Sequence, residues 1–237
     1  MNLHKIAGLY VDLGYKYPLM LERAMSYKTD EKIETPNMRI YLPDELLEEK
    51  QRETPELNLN ECEYLFTGAA FYSGLLHLGG FLLHSSAIIV DGKAYLFTAD
   101  SGTGKSTHTG LWQKYLGEDR VQILNDDKPA IRIAEDGIFA CGTPWSGKHH
   151  LNTNTIVPLA AIGFLERSEE NWIERKNGGE MVGKLLKQTV MPPVKEEMDA
   201  LLNYVDKVLT KIPVYAMGVN MSLDAAKMAY DAMSKGV

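Results

Sequence analysis

The chain has 237 residues, room for one large domain or for one domain with a small appendage. Its residues are 45% hydrophobic and 24% charged, the balance of a folded, water-exposed protein. A formal charge of −7 and a pI of about 5.4 argue against a general affinity for nucleic acid or anionic membrane. The two cysteines, Cys62 and Cys141, are too few for a disulfide framework or a zinc site, and they fit a reducing compartment. The N-terminus lacks a basic region followed by an apolar signal core. The longest apolar stretch, Phe66 to Leu83, is broken by glycines, Ser73 and His77, and reads as a buried helix and strand rather than a membrane span. A cytoplasmic location is expected.

In chain order, residues 3–42 read mainly as strands. Ile6, Leu9, Val11 and Leu13 alternate roughly, and Arg39 to Leu42 forms a second short run. Residues 1–60 are therefore expected to form a strand-rich N-terminal subdomain or sheet extension. Glu45 to Glu53 is a charged, exposed helix after a cap position at Asp44. Glu61 to Leu78 has apolar residues at helical spacing and ends at Gly79-Gly80. Phe81 to Val90 reads as a strand, Asp91-Gly92 as a two-residue hairpin turn, and Lys93 to Thr98 as the returning strand. Val121 to Asp127 is a strand that ends in two carboxylates. Ala130 to Ile133 and Gly137 to Cys141 suggest another hairpin. Ile156 to Leu165 is a buried strand. A helix from Gly178-Gly179 through Met191, a helix over Lys195 to Leu209, a strand over Val214 to Val219 and a last helix capped by Ser222 complete the chain.

The stretch Tyr95 to Thr107 organises the rest. A short strand leads into Asp100-Ser101-Gly102-Thr103-Gly104-Lys105-Ser106-Thr107, and a helix follows through Leu111, Trp112 and Tyr115. This is the layout of a phosphate-binding loop, with Ala99 where the first glycine is usual. Glycines let successive N–H groups converge on one phosphate, and the helix N-terminus adds its positive end. Lys105 can reach the outer phosphates of ATP, and the Ser106 hydroxyl can ligate Mg²⁺.

Asp126 and Asp127 follow one helix and one turn after the loop, which places them on a neighbouring strand close to Ser106. One carboxylate can hold Mg²⁺, and the other can accept the proton of an attacking hydroxyl. Residue types alone leave open which does which. His84, at the end of the strand paired with the loop strand, is a phosphate contact, a group orienting the base, or a hydrogen-bonded core histidine. Lys148, in the loop Gly142 to His150, either donates to a phosphate or is a solvated lysine. His149-His150 would point to opposite faces of a strand and make a poor metal site. His77 and His108 read as helix-surface residues. The hairpin that feeds the loop strand implies a mixed sheet in an α/β fold.

The motif Asp100 to Ser106, together with His84-Ser85-Ser86-Ala87, the Asp91-Gly92 turn and Asp126-Asp127, resembles the HPr kinase/phosphorylase and phosphoenolpyruvate carboxykinase superfamily of P-loop proteins. The resemblance covers residues 81–150. It implies an HPr-kinase-like nucleotide-binding domain over residues 61–237. It also implies Asp126 as base toward a serine hydroxyl, ATP held by Lys105 and the loop, and Mg²⁺ handled by Ser106 with Asp127. A counterpart of the glutamate and arginine segment downstream in the bifunctional enzymes is not evident, and the chain is far shorter than a carboxykinase. The expected function is an ATP- and Mg²⁺-dependent kinase acting on a serine of a peptide or protein, with homo-oligomerisation left open. The alternatives are a small-metabolite kinase and a nucleotide-binding regulatory protein without turnover.

Overall fold

The structure is a computed structural model and describes residues 1–235. Its first hairpin turns at Ala7 and Gly8, whose φ angles of 50° and 78° match a two-residue turn. That turn joins β1 (Leu3–Ile6) to β2 (Leu9–Leu13). The next segment departs from the expected run of strands. Pro18 opens a helix, α1 (Pro18–Ala24), at the first helical position, where its missing N–H costs nothing. A 3-10 turn, Met25–Tyr27, continues it and buries Tyr27. β3 (Met38–Ile40) then pairs parallel to β2 and completes a three-stranded sheet.

α2 (Asp44–Glu53) is capped by Pro43, so Asp44 is its first helical residue rather than its cap. α3 (Leu59–Leu76) begins with a reciprocal pair: Asn58 accepts from the Glu61 N–H while the Glu61 carboxylate accepts from the Asn58 N–H. The run expected as one strand from Phe81 to Val90 is two, β4 (Gly80–Leu82) and β5 (Ser85–Val90). The break falls at Leu83 and His84, where the chain passes from one set of partners to another.

The second tight turn, at Asp91 and Gly92 with φ of 50° and 76°, joins β5 to β6 (Lys93–Thr98) as expected. There follow α4 (Lys105–Leu116), β7 (Val121–Asp127), β8 (Ala130–Ala134), β9 (Gly137–Cys141) and β10 (Ile156–Arg167). β11 (Trp172–Lys176) was not expected; its exposed, charged sequence carries no strand pattern. α5 (Gly178–Leu186) is shorter than the helix expected through Met191. α6 (Lys195–Lys211), β12 (Val214–Val219) and α7 (Leu223–Met233) close the chain. Ser222 stands at the cap position of α7, but its hydroxyl bonds to the Asn220 side chain instead of capping.

β4 to β12 build one mixed, nine-stranded sheet. β10 runs parallel to β6 and β12, whereas β5 is antiparallel to both β6 and β7. β6, β7, β10 and β12 therefore all end at the same edge. The 12-residue β10 bends the sheet by pairing β9 with its first residues and β6 with the rest. Side chains of β6 alternate cleanly. Ala94 and Leu96 face a core with α5 and α6, while Tyr95 and Phe97 face one with α4 and α7. The N-terminal strands pack on α3 through Val11, Leu13, Phe71 and Leu75. Among the described residues no helix is long and apolar enough to cross a membrane.

Candidate active site at the sheet edge

The loop between β6 and α4 lies at the edge where the parallel strands end, the usual ligand edge of an open α/β sheet. Gly102 and Gly104 take φ of 77° and 116°, and no atom crowds the place of a Cβ at Gly102. Gly104 is the N-cap of α4 and offers no side-chain cap, so no side chain of the cap residue occupies the first-turn N–H groups. Ala99 keeps φ negative and is buried, so alanine is unstrained in the place of the usual glycine. Lys105 folds back and donates to the Ala99 carbonyl at 3.1 Å. Burial lowers its pKa, against the charges of Asp127, Asp126 and Asp100. Asp100, Ser101, Ser106 and Thr107 are exposed and Thr103 is half-buried, with the Thr103 N–H bonded to the Asp100 carbonyl at 3.2 Å.

The acidic pair is not on the strand next to the loop strand, as the sequence suggested; β5 intervenes. The pair still reaches the loop because α4 lies across β5. Ser86 of β5 bonds to Thr109 of α4 at 3.0 Å and ties the helix down. Beside Ser86, Asp126 accepts from the Ser106 hydroxyl at 2.8 Å and is 7% exposed.

Ser106 therefore meets Asp126, not Asp127. The cause is a register shift in β7. Val121 and Ile123 pack on the α4 side, and strict alternation would put Asp127 there too. The pairing of β7 with β5 runs from Ile123↔Ile88 to Asn125↔Ala87, which leaves Leu124 as an extra residue. That bulge reverses the phase and turns Asp126 toward α4.

Asp127 has its own partners. Its carboxylate lies 2.9 Å from His84 Nε2 and also pairs with the Lys128 ammonium. Burial alone would raise this carboxyl, but the His84 hydrogen bond and the Lys128 charge outweigh it and bring the pKa down to about 2. Its backbone takes φ 146°, a rare conformation for a residue with a side chain, of the kind that collects at functional sites. Asn125 locks the turn below: its amide donates to the Thr143 and Trp145 carbonyls, and its carbonyl accepts from the Lys128 N–H at 2.8 Å.

Lys148 is exposed on the turn after Gly147, and among the described residues no hydrogen bond or ion pair ties it to the loop between β6 and α4. His149 and His150 lie in that same exposed turn rather than in a strand, with His150 at φ 58°. His77 is at the helix surface as expected and bonds to Glu197 at 3.0 Å. His108 is not. It is 1% exposed, accepts from Trp112 Nε1 at 3.1 Å, and leaves Nδ1 without a partner. Burial pushes its pKa down to about 4. The helical face that carries His108 packs on Phe97, which a short polar helix pattern does not reveal.

Lys128 and Arg167 escaped the sequence reading. Arg167, at the end of β10, donates to the Gly102 carbonyl at 2.5 Å and braces the loop. The signal for Lys128 was its place directly after the acidic pair; Arg167 had none. Arg167 also borders a cavity of about 460 Å³ with Gly104, Thr107, His108 and Asn220.

No protein family matches this chain, and no curated protein sequence does. Among solved structures it is similar to the HPr(Ser) kinase/phosphatase from Coxiella burnetii, at 10% identity and a TM-score of 0.38. The match covers 65% of this chain and 97% of that one. At that level of likeness the site has to be read from its own geometry.

Proposed function

We propose that the chain is an ATP- and Mg²⁺-dependent kinase that phosphorylates a serine hydroxyl of a peptide or protein. One observation carries this reading: two adjacent carboxylates serve different partners at one sheet edge, Asp126 the loop's Ser106 and Asp127 the pair His84 and Lys128. The loop would hold the phosphates of ATP through the open N-terminus of α4 and Lys105. The cavity bordered by Thr107 and Asn220 would take the nucleoside. Ser106 and Asp126 would hold Mg²⁺, which supplies charge for the outer phosphates. Among the described residues there is no cluster of three His, Cys, Asp or Glu for a metal cage. The cluster is not needed, since Mg²⁺ takes one or two carboxylates and fills its shell with phosphate and water.

Asp127 would accept a hydrogen bond from the acceptor serine and aim its oxygen at the terminal phosphate. The roles that the family resemblance implied for the two aspartates are thereby exchanged. A carboxylate with a pKa of about 2 takes up a proton weakly. That suits a loose transition state, in which the hydroxyl proton leaves only as the phosphoryl group arrives. His84 and Lys128 fix the Asp127 rotamer, and Lys128 balances its charge.

The test is phosphate transfer to serine peptides or proteins at saturating Mg²⁺-ATP. Asp127→Asn should lower the transfer rate by about 10²–10⁴-fold with little change in ATP affinity. Transfer at the wild-type rate would overturn the assignment of Asp127. ATP binding with no transfer to any hydroxyl acceptor, in wild type and variant alike, would favour a regulatory nucleotide-binding protein.

A further inference from the structure

An apolar pocket of about 110 Å³ lies between α3 and the loop that follows β9. Tyr72 and Trp145 form part of its wall, with Leu65, Ala69 and Val190. Lys128, the partner of the Asp127 carboxylate, lines the same pocket. The polar atoms of the aromatic wall are already engaged. The Tyr72 hydroxyl bonds to the Lys128 carbonyl and to Thr143, and Trp145 Nε1 donates to Thr67 at 3.3 Å. The aromatic part of the wall therefore offers carbon and no free hydrogen bond. A polar occupant would lose its water without replacement, while an apolar one gains from burial.

The pocket is also preformed. Trp145 stacks on Phe71 with ring centroids 4.8 Å apart, and a Cβ on Gly68 would approach Trp145 Cδ1 to 2.8 Å. Its volume is of the order of that which holds a benzene-sized apolar group, about 150 Å³. Val190 belongs to the segment between α5 and α6, which also exposes Met191 and Val194. Of the three exposed apolar side chains of that segment, Val190 lines the pocket.

We propose that this pocket receives an apolar side chain of the acceptor peptide, one or two residues from the serine that is phosphorylated. The inference rests on the kinase reading for the nature of the acceptor. Its geometric basis is that Lys128 borders both the pocket and Asp127. A serine hydroxyl at Asp127 thus places its neighbours along the chain at the pocket mouth.

The experiment uses the full chain and short serine-centred peptides that differ only by Leu or Asp at each flanking position. Binding is measured by calorimetry and transfer by phosphate incorporation. The Leu peptide should bind at least about tenfold more tightly than the Asp peptide at one flanking position. Ala69→Leu, which fills the pocket, and Val190→Asp, on its exposed rim, should each abolish that difference. Val190→Asp changes a surface residue, so loss of folding would not explain its effect. Equal binding of the two peptides, or a preference that survives both substitutions, overturns the pocket assignment. Selective binding without any phosphate transfer leaves the pocket assignment standing and overturns the kinase reading.

Discussion

The Ser106 hydroxyl donates to Asp126 at 2.8 Å, although a whole strand separates the loop strand from the strand that carries Asp126. The contact exists because α4 crosses over β5 and the bulge at Leu124 turns Asp126 toward it. Two oxygen ligands at this distance suit an ion that also touches phosphate. Ser106→Ala and Asp126→Ala should each raise the Mg²⁺ concentration for half-maximal transfer by about tenfold or more. Titration of activity with Mg²⁺ at fixed ATP measures this. A shift in Asp127→Asn and none in Asp126→Ala would return the metal to Asp127.

Lys105 already lies over the loop, held by the Ala99 carbonyl at 3.1 Å. Nearby carboxylates favour its charge, while burial opposes it. Phosphate oxygens would replace the carbonyl as stronger partners of the ammonium. Lys105→Ala should weaken ATP binding by about 10–100-fold, the scale of one charge-assisted hydrogen bond. Calorimetry with Mg²⁺-ATP decides it, and an unchanged affinity would remove Lys105 from the site.

His108 links stability to pH. Its pKa falls from 6.5 to about 4 on burial, so between these values the unfolded chain binds a proton that the native chain refuses. Its contribution is fully present above pH 6.5 and is lost as the pH falls toward 4. From pH 7 to pH 5 this residue alone should cost about 2 kcal/mol of folding stability. Urea unfolding at the two pH values measures the loss. His108→Gln should flatten it; an equal loss in both proteins would mean that other groups carry the acid sensitivity.

Much of this protein is legible locally. The Asp91-Gly92 turn between two apolar runs predicts the hairpin that makes the sheet mixed. Glycines and a lysine between a strand and a helix predict the tight loop between β6 and α4, because each residue type acts within its own turn. α1 was hidden because Pro18 reads as a breaker in sequence but starts a helix when its N–H is not needed. The division of Phe81 to Val90 into two strands falls at the polar run His84-Ser85-Ser86, with apolar residues on both sides, and only the change of pairing partners reveals it as a break.

The amino-acid sequence by itself determined the loop, its helix, the feeding hairpin and the presence of two carboxylates downstream, all from residues close together in the chain. The tertiary structure decided how those carboxylates are used. One extra residue in β7 reverses which of them faces Ser106, and only the pairing with β5 shows it. His84 and Lys128 are brought to the Asp127 carboxylate by a strand break and a turn. Period-2 alternation is a local rule, but the phase of a strand is set by its partner, and no pattern within β7 reveals where that partner skips a residue.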